Sequence, residues 1–233
     1  MAPRNRVPRF YFSLRSPYSW LAYRRLTDQH PEVAAAVEWR PWWEPDARSR
    51  RMLEAAGGDF PYTAMSRAKH LYILQDVRRL AREAGLEPAW PVDRDPVWEI
   101  PHLAYFAALD EGRGAEYIRR IYEVRWQEGR DICDRATIAE VARELGLPED
   151  LLANAADDEQ LRERGLRALL AMDEDGAFGV PFFVHGFHKF WGVDRFPAFL
   201  RAVSGGGGLP AAVSWPQAGP LPGGDQGHAG GCG

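Results

Sequence analysis

Two short segments carry side chains whose types and placement could do chemistry. The first, FYFSLRSPYSWLA at residues 10–22, sets the Ser16 hydroxyl where an aromatic strand ends and Ser16-Pro17 opens a helix. Backbone N–H groups in a first helical turn have no intrahelical partner, and the helix dipole favours negative charge there. A thiolate lying beside Ser16 would be stabilised by a hydrogen bond and by that dipole, lowering its pKa. Serine is also a common N-cap, so position alone leaves a purely structural role open. The second segment, GAFGVPFFVHGFHKFWGVDR at residues 176–195, puts Pro181 immediately ahead of a strand. A proline there is either the first strand residue or a cis-proline that holds the preceding backbone open. In the second case Val180 offers its N–H and C=O to an extended ligand. Asp194, at the start of a closing helix, either caps that helix or accepts a ligand ammonium.

Other residues are candidates for a substrate side. Trp39, Trp42 and Trp43 cluster after a second strand, and Trp98-Glu99-Ile100-Pro101-His102 fills a loop before a helix. Aromatic groups so placed suit a flat conjugated substrate and equally suit a core. Trp43 and Trp191 are taken as substrate-side candidates, with His102 as a general acid or base. Lys69 either faces a substrate carboxylate or forms an ion pair with Asp76 or Glu99. His185 and His188 sit three apart across a hairpin turn, but no carboxylate or cysteine is placed to complete a metal site, so none is expected. The two cysteines, Cys133 and Cys232, form no C-x-x-C. That pattern points neither to a disulfide framework nor to a cysteine zinc site. Cys133 reads as a small half-buried residue, not a nucleophile.

The elements that must position these groups can be read from periodicity and breakers. Arg9 to Leu14 reads as a strand and Pro17 to Gln29 as an amphipathic helix stopped by His30-Pro31. Val37 to Trp42 reads as a second strand, at an edge or ending at Pro41. Helical spacing follows over Tyr62–Ala84, Ile100–Asp110, Ala115–Trp126, Ala136–Glu144 and Glu159–Met172. Phe182–His185 and Phe187–Trp191 form a hairpin about Gly186, and Asp194 to Val203 forms a closing helix that Pro197 makes start late. The order is β-α-β, a helical block, then β-β-α. Residues 8–45 and 176–203 are expected to share one sheet-bearing domain, 46–175 to form a helical insertion, and the Gly/Pro-rich 204–233 to be a disordered tail anchored at most by Trp215.

Composition narrows the function classes. A formal net charge of −4 leaves no electrostatic footprint for nucleic acid or an anionic membrane. No apolar run approaches the roughly 20 residues that span a bilayer. Pro and Arg punctuate the opening MAPRNRVPRFYF, which lacks the apolar stretch of a secretory signal, so the cytoplasm is the expected location. Lysine occurs only at Lys69 and Lys189 among 29 basic residues. With abundant Ala, Gly and Pro, this suggests a high-GC bacterial gene.

The order strand–Ser-Pro-x-Ser–helix, helical block, then Gly-Val-Pro–hairpin–Trp-Gly-x-Asp-Arg resembles the 2-hydroxychromene-2-carboxylate isomerases and the related kappa-class glutathione transferases. These belong to the DsbA-like group of thioredoxin folds, and the resemblance runs over residues 8–203. Lys69, Tyr72, Asp76 and Arg79 look like the family's K-x-x-Y-x-x-x-D-x-x-R stretch. The resemblance implies an α/β thioredoxin-like fold with a large all-helical insertion. It implies that Ser16 hydrogen-bonds the sulfur of bound glutathione, that Val180 before cis Pro181 pairs with the cysteinyl backbone, and that Val193 and Asp194 hold the γ-glutamyl end. Pro17-Tyr18-Ser19 completes an S-x-x-S where a disulfide oxidoreductase carries C-x-x-C, so dithiol cycling is excluded at this site. Two departures stand out: Ser13 where the family often has Asp, and GGDFPYTAMSRAK where it has an Asn-Pro-rich turn, with Tyr62 or Ser66 as possible replacements.

The resemblance thus implies a thiol-dependent isomerase of a conjugated, aromatic or polyene small molecule. A transferase using the same residues and a non-catalytic thioredoxin-fold binding module are the alternatives. The thiol is glutathione or, in an actinobacterial host, another low-molecular-weight thiol. Kin of this architecture are commonly homodimers.

Overall fold

The computed structural model describes residues 7–61 and 65–205. The tail segment 206–233, with Trp215 and Cys232, and Tyr62 lie outside the described residues. Strand β1 (Arg9–Phe12) leads through a tight turn to α1 (Pro17–Gln29), then α2 (Pro31–Ala36) and β2 (Glu38–Pro41). Among the described residues, seven α-helices follow before the sheet resumes: α3 (Ala47–Ala55), α4 (Arg67–Glu83), α5 (Glu99–Asp110), α6 (Gly114–Trp126), α7 (Arg135–Glu144), α8 (Glu149–Ala153) and α9 (Glu159–Asp175). The hairpin β3 (Phe182–His185) and β4 (His188–Trp191), a 3-10 turn over Val193–Arg195 and α10 (Phe196–Val203) close the chain.

The sheet order is β2-β1-β3-β4. β1 and β2 are parallel, as a crossover connection through α1 and α2 requires, while β3 runs antiparallel to both neighbours. All four residues of β1 are buried, because helices cover both faces. One face is an aromatic stack in which Phe183 lies 4.6 Å from Phe10 and 4.7 Å from Phe199. On the other, Tyr11 donates to Asp175 at 2.6 Å and Arg9 pairs with the same carboxylate at 2.8 Å, tying the end of α9 to β1.

Local chemistry explains the boundaries. Ser16, Asp46, Ser66, Asp134 and Asp158 cap α1, α3, α4, α7 and α9 through side-chain oxygens that accept backbone N–H groups. Gly176 ends α9 at φ +63°, a left-handed conformation that glycine adopts without steric cost. The first helix ends at Gln29 with His30 as its cap, as the sequence predicts, and Pro31 opens the separate short α2, since a proline suits a first helical turn. Two expectations need correction. The strand expected over Arg9–Leu14 stops at Phe12, where the turn to Ser16 begins. α4 starts at Arg67, where Ser66 supplies the cap, so Met65 and Ser66 of the expected helical stretch are not helical. Among the described residues, no helix is long and apolar enough to cross a membrane.

Candidate active site

The register of the sheet brings the two sequence motifs together. Tyr11 pairs with Phe182 in antiparallel β1 and β3, so the residues that precede Phe182 lie at the end of the sheet where β1 runs out into Ser13–Ser16. The Val180-Pro181 bond is cis. Pro181 accepts a 2.9 Å hydrogen bond from Gly192 N–H. No hydrogen bond within the described residues engages the backbone of Val180.

The turn leading to Ser16 is held from several directions. Ser16 Oγ accepts Ser19 N–H at 3.2 Å, and Ser16 N–H bonds Ser13 C=O at 3.1 Å. Ser19 Oγ accepts Ser13 N–H at 3.2 Å. The helical block supplies the rest. Tyr122 OH donates to Ser13 C=O at 3.0 Å, and Arg125 Nε donates to Arg15 C=O at 3.2 Å while its two terminal nitrogens each lie 2.9 Å from Asp93. His102 takes the remaining group: its Nε2 accepts Leu14 N–H at 3.0 Å, and its Nδ1 lies 2.7 Å from Trp98 C=O. A carbonyl can only accept, so the proton sits on Nδ1 and Nε2 is bare. Burial pushes the imidazole down to about 3, keeping it neutral.

A cleft of about 670 Å³ opens beside this turn. Val180, Pro181, Trp191, Gly192, Val193 and Asp194 form one wall; Tyr18 and Arg25 of α1 and Tyr72, Asp76 and Leu80 of α4 form the other. Tyr18 OH donates to Asp76 at 2.7 Å, joining α1 to α4, and Asp76 also pairs with Arg79. The Asp194 carboxylate folds back over Gly192, where an added Cβ would come within 2.7 Å of Oδ1. Gly192 has φ +95°. A glycine that leaves this space, an unengaged Val180 backbone and an exposed carboxylate fit an extended peptide-like thiol with an ammonium end.

The chain matches the DSBA-like thioredoxin domain over residues 9–204. It belongs to that family. The DSBA-like thioredoxin fold here carries its helical block between β2 and β3. A 2-hydroxychromene-2-carboxylate isomerase of Sphingobium xenophagum is 25% identical over 80% of this chain and 92% of its own length. A solved structure of 2-hydroxychromene-2-carboxylate isomerase overlays with TM-score 0.67 at 23% identity, covering 84% of this chain and 94% of the other. The cytosolic disulfide reductase DsbM from Pseudomonas aeruginosa, solved with GSH, overlays with TM-score 0.54 at 21% identity over 83% and 96%. These structural likenesses are at the level of the DSBA-like fold.

Within the DSBA-like frame, the candidate residues fall into three groups. Val180, Pro181, Trp191, Val193 and Asp194 line the cleft. Ser16 is fully buried at the head of α1, and Tyr18, two residues on, is the cleft-lining side chain of that turn. Trp43 and His102 do not reach a substrate side: both are core residues, stacked on each other at 5.3 Å, and Trp43 Nε1 donates to buried Glu99. His102 is therefore no general acid or base, since its Nε2 is committed to Leu14. Lys69 is half-buried in the first turn of α4 and makes no ion pair with Asp76 or Glu99; Asp76 is taken by Tyr18 and Arg79. Ser13, where the family often has Asp, is buried inside the turn. Burial and Asp131 push the Cys133 thiol up to about 12, which leaves it protonated and unreactive at neutral pH.

Sequence reasoning missed Tyr122, Arg125 and Arg25. The first two lie on α6 with no motif around them, and only the packing of α6 against the turn reveals them. Arg25 sits one helical turn and more beyond the Ser-x-x-Ser run, on the buried side of α1, and its place on that helix was the one available signal.

Proposed function

We propose that the protein is a thiol-dependent isomerase that uses glutathione or a related low-molecular-weight thiol to interconvert the geometries of a conjugated small molecule. The observation that carries this reading is the pairing of Ser16 and Ser19 at the start of α1, at the same end of the sheet as cis Pro181. A bound thiol supplies a thiolate that adds reversibly to a conjugated enone and leaves again once the former double bond has rotated. The chain's part is to bind and to stabilise negative charge. Ser16, whose oxygen already accepts Ser19 N–H, donates its hydroxyl proton to the sulfur, and the N-terminus of the 13-residue α1 adds its dipole. Val180 pairs through its backbone with the cysteinyl unit, and Asp194 takes the ammonium. Access to buried Ser16 requires a side-chain shift, and Tyr18 is the nearest residue in sequence that lines the cleft.

The names of the relatives support an isomerase, and the GSH in the DsbM structure supports a low-molecular-weight thiol as a ligand of this fold. Serine at both positions of the S-x-x-S leaves no sulfur for disulfide cycling, which separates this reading from a reductase. Calorimetric titration with glutathione, repeated on Ser16→Ala, tests it. The expected result is micromolar-to-millimolar binding, with thiol-stimulated isomerisation of conjugated enones that Ser16→Ala removes by 100-fold or more, on the order of a lost oxyanion-type donor. An undiminished rate in Ser16→Ala would sink the role given to that hydroxyl.

A further inference from the structure

Arg15 stands directly before Ser16, and its side chain folds back onto the protein instead of running out into solvent. The guanidinium lies 5.1 Å from the ring of Trp98, the residue at the head of α5, and the side chain is 20% exposed. The Arg15 C=O accepts Arg125 Nε at 3.2 Å, and the Arg125 guanidinium lies 5.1 Å from the same indole. Two cations therefore share one ring beside the turn. They are not equally neutralised. Arg125 is bidentate to Asp93, with each bond at 2.9 Å. Arg15 meets Glu44 through one nitrogen at 3.4 Å, and the Glu44 side chain is 31% exposed. So loose a pair leaves Arg15 with positive charge to spare.

That charge is felt inside the turn. His102, which accepts Leu14 N–H, is held neutral first by burial, and Arg125 and Arg15 add to the effect. The charged side chains that line the cleft offer no such excess, since Arg25 and Arg195 are matched in number by Asp76 and Asp194. We infer that Arg15 is the fixed cation that favours the thiolate of a ligand bound beside Ser16, adding its charge to the Ser16 hydroxyl and the α1 dipole. An opposite charge near an ionisable group favours the charged form, and the thiol proton passes to water. Arg125 and Trp98 are positioning residues that hold the Arg15 backbone and side chain against the turn. The inference rests on the thiol-site reading above and adds to it a residue that acts on the sulfur through its field.

Ultraviolet absorbance of the thiolate, followed from about pH 5 to about pH 10 on the full chain saturated with glutathione, tests it. The wild type is expected to hold the bound thiol pKa below that of free glutathione in the same buffer. Arg15→Gln should raise it by about 0.5–1, and Arg15→Lys, which loses the flat stacking surface but keeps the charge, by much less. Glu44→Gln removes the counter-charge and should move the pKa the other way, downward. Added salt should shrink both shifts, because these groups are partly exposed. A merely structural role for Arg15 would move the Gln and Lys variants together and would not reverse sign at Glu44. An unchanged value in Arg15→Gln, or equal shifts in Arg15→Gln and Arg15→Lys, overturns the inference while the thiol site stands. Absence of glutathione binding by the wild type removes the thiol site and this inference with it. If Arg15→Gln proves unstable, Glu44→Gln decides the matter, and an unchanged or raised value there overturns the role given to Arg15.

Discussion

His102 Nε2 accepts a 3.0 Å hydrogen bond from the backbone N–H of Leu14, two residues before Ser16. This bond requires a neutral imidazole with its proton on Nδ1, which Trp98 C=O secures at 2.7 Å. A protonated ring would turn an N–H toward the Leu14 N–H and break the turn. The imidazole is pushed down to about 3 in the fold, chiefly by burial, against an ordinary value near 6.5. The unfolded chain therefore binds a proton at this residue as pH falls below about 6.5, while the folded chain does not until about 3. Folding free energy should decline across that window by up to about 1.4 kcal/mol per pH unit from this residue alone. Urea denaturation between pH 7 and 4 measures the decline. His102→Gln, whose amide oxygen can still accept from Leu14, should flatten the slope; an unchanged slope would place its origin elsewhere.

Arg125 joins the same turn to the helical block, and its environment makes it far more costly to lose than an ordinary surface arginine. Its side chain is 3% exposed, it is bidentate to Asp93, and it stacks over Trp98 at 5.1 Å. Arg125→Met leaves Asp93 and Arg15 C=O without their partner. Removing one member of a buried pair costs about 3–5 kcal/mol, and the partial exposure of Asp93 reduces that to about 2–4 here. Arg143→Gln breaks the solvent-facing Arg143–Glu149 pair, which water already screens, and should cost far less. Urea denaturation of both variants checks the contrast; equal losses would mean that Arg125 does not anchor the turn.

How legible was this arrangement in the sequence? The two ends of the chain were readable because their chemistry is local. Ser16-Pro17 is a helix start, and Pro181 and Gly186 punctuate a hairpin, so β1–α1 and β3–β4 follow from neighbours in the chain. The cleft wall from Val180 to Asp194 came with them. The helical block was legible only as helices. Short α2, α3 and α8 have too few residues for periodicity to show, and they form because tertiary packing covers them. The tryptophan and histidine placements were misjudged for a related reason. Trp43 and His102 each look like a site residue in isolation, yet they stack on one another behind the turn, and their polar atoms are spent on Glu99, Leu14 and Trp98. Whether a polar aromatic faces a cleft or a core is decided by contacts that lie dozens of residues away.

The isomerase reading also fixes what happens to the thiol. A thiolate that adds and leaves is regenerated, whereas transfer retains it on the product. With no cysteine at position 16 or 19, the chain has no sulfur there to store or exchange. Free thiol, titrated during many turnovers of a conjugated enone, should therefore stay constant while the substrate changes geometry. Loss of one thiol per product formed would assign the same residues to a transferase.

Gly192 gives a prediction that separates backbone strain from steric conflict. An alanine there meets two penalties: φ +95°, which side-chain-bearing residues rarely adopt, and a Cβ that would sit 2.7 Å from Asp194 Oδ1. The first should cost about 1–3 kcal/mol of stability on its own. The second can be relieved by swinging the Asp194 carboxylate outward, and that movement takes it away from a ligand ammonium. Gly192→Ala should thus lose stability and glutathione affinity together. In an Asp194→Ala background the carboxylate is gone, so Gly192→Ala should cost less there than in the wild type, the remainder being backbone strain. Thermal or urea unfolding of the four proteins closes the cycle. Strict additivity would mean that Asp194 does not occupy the space Gly192 leaves, and the cradle for an ammonium end would then have to lie elsewhere in the cleft.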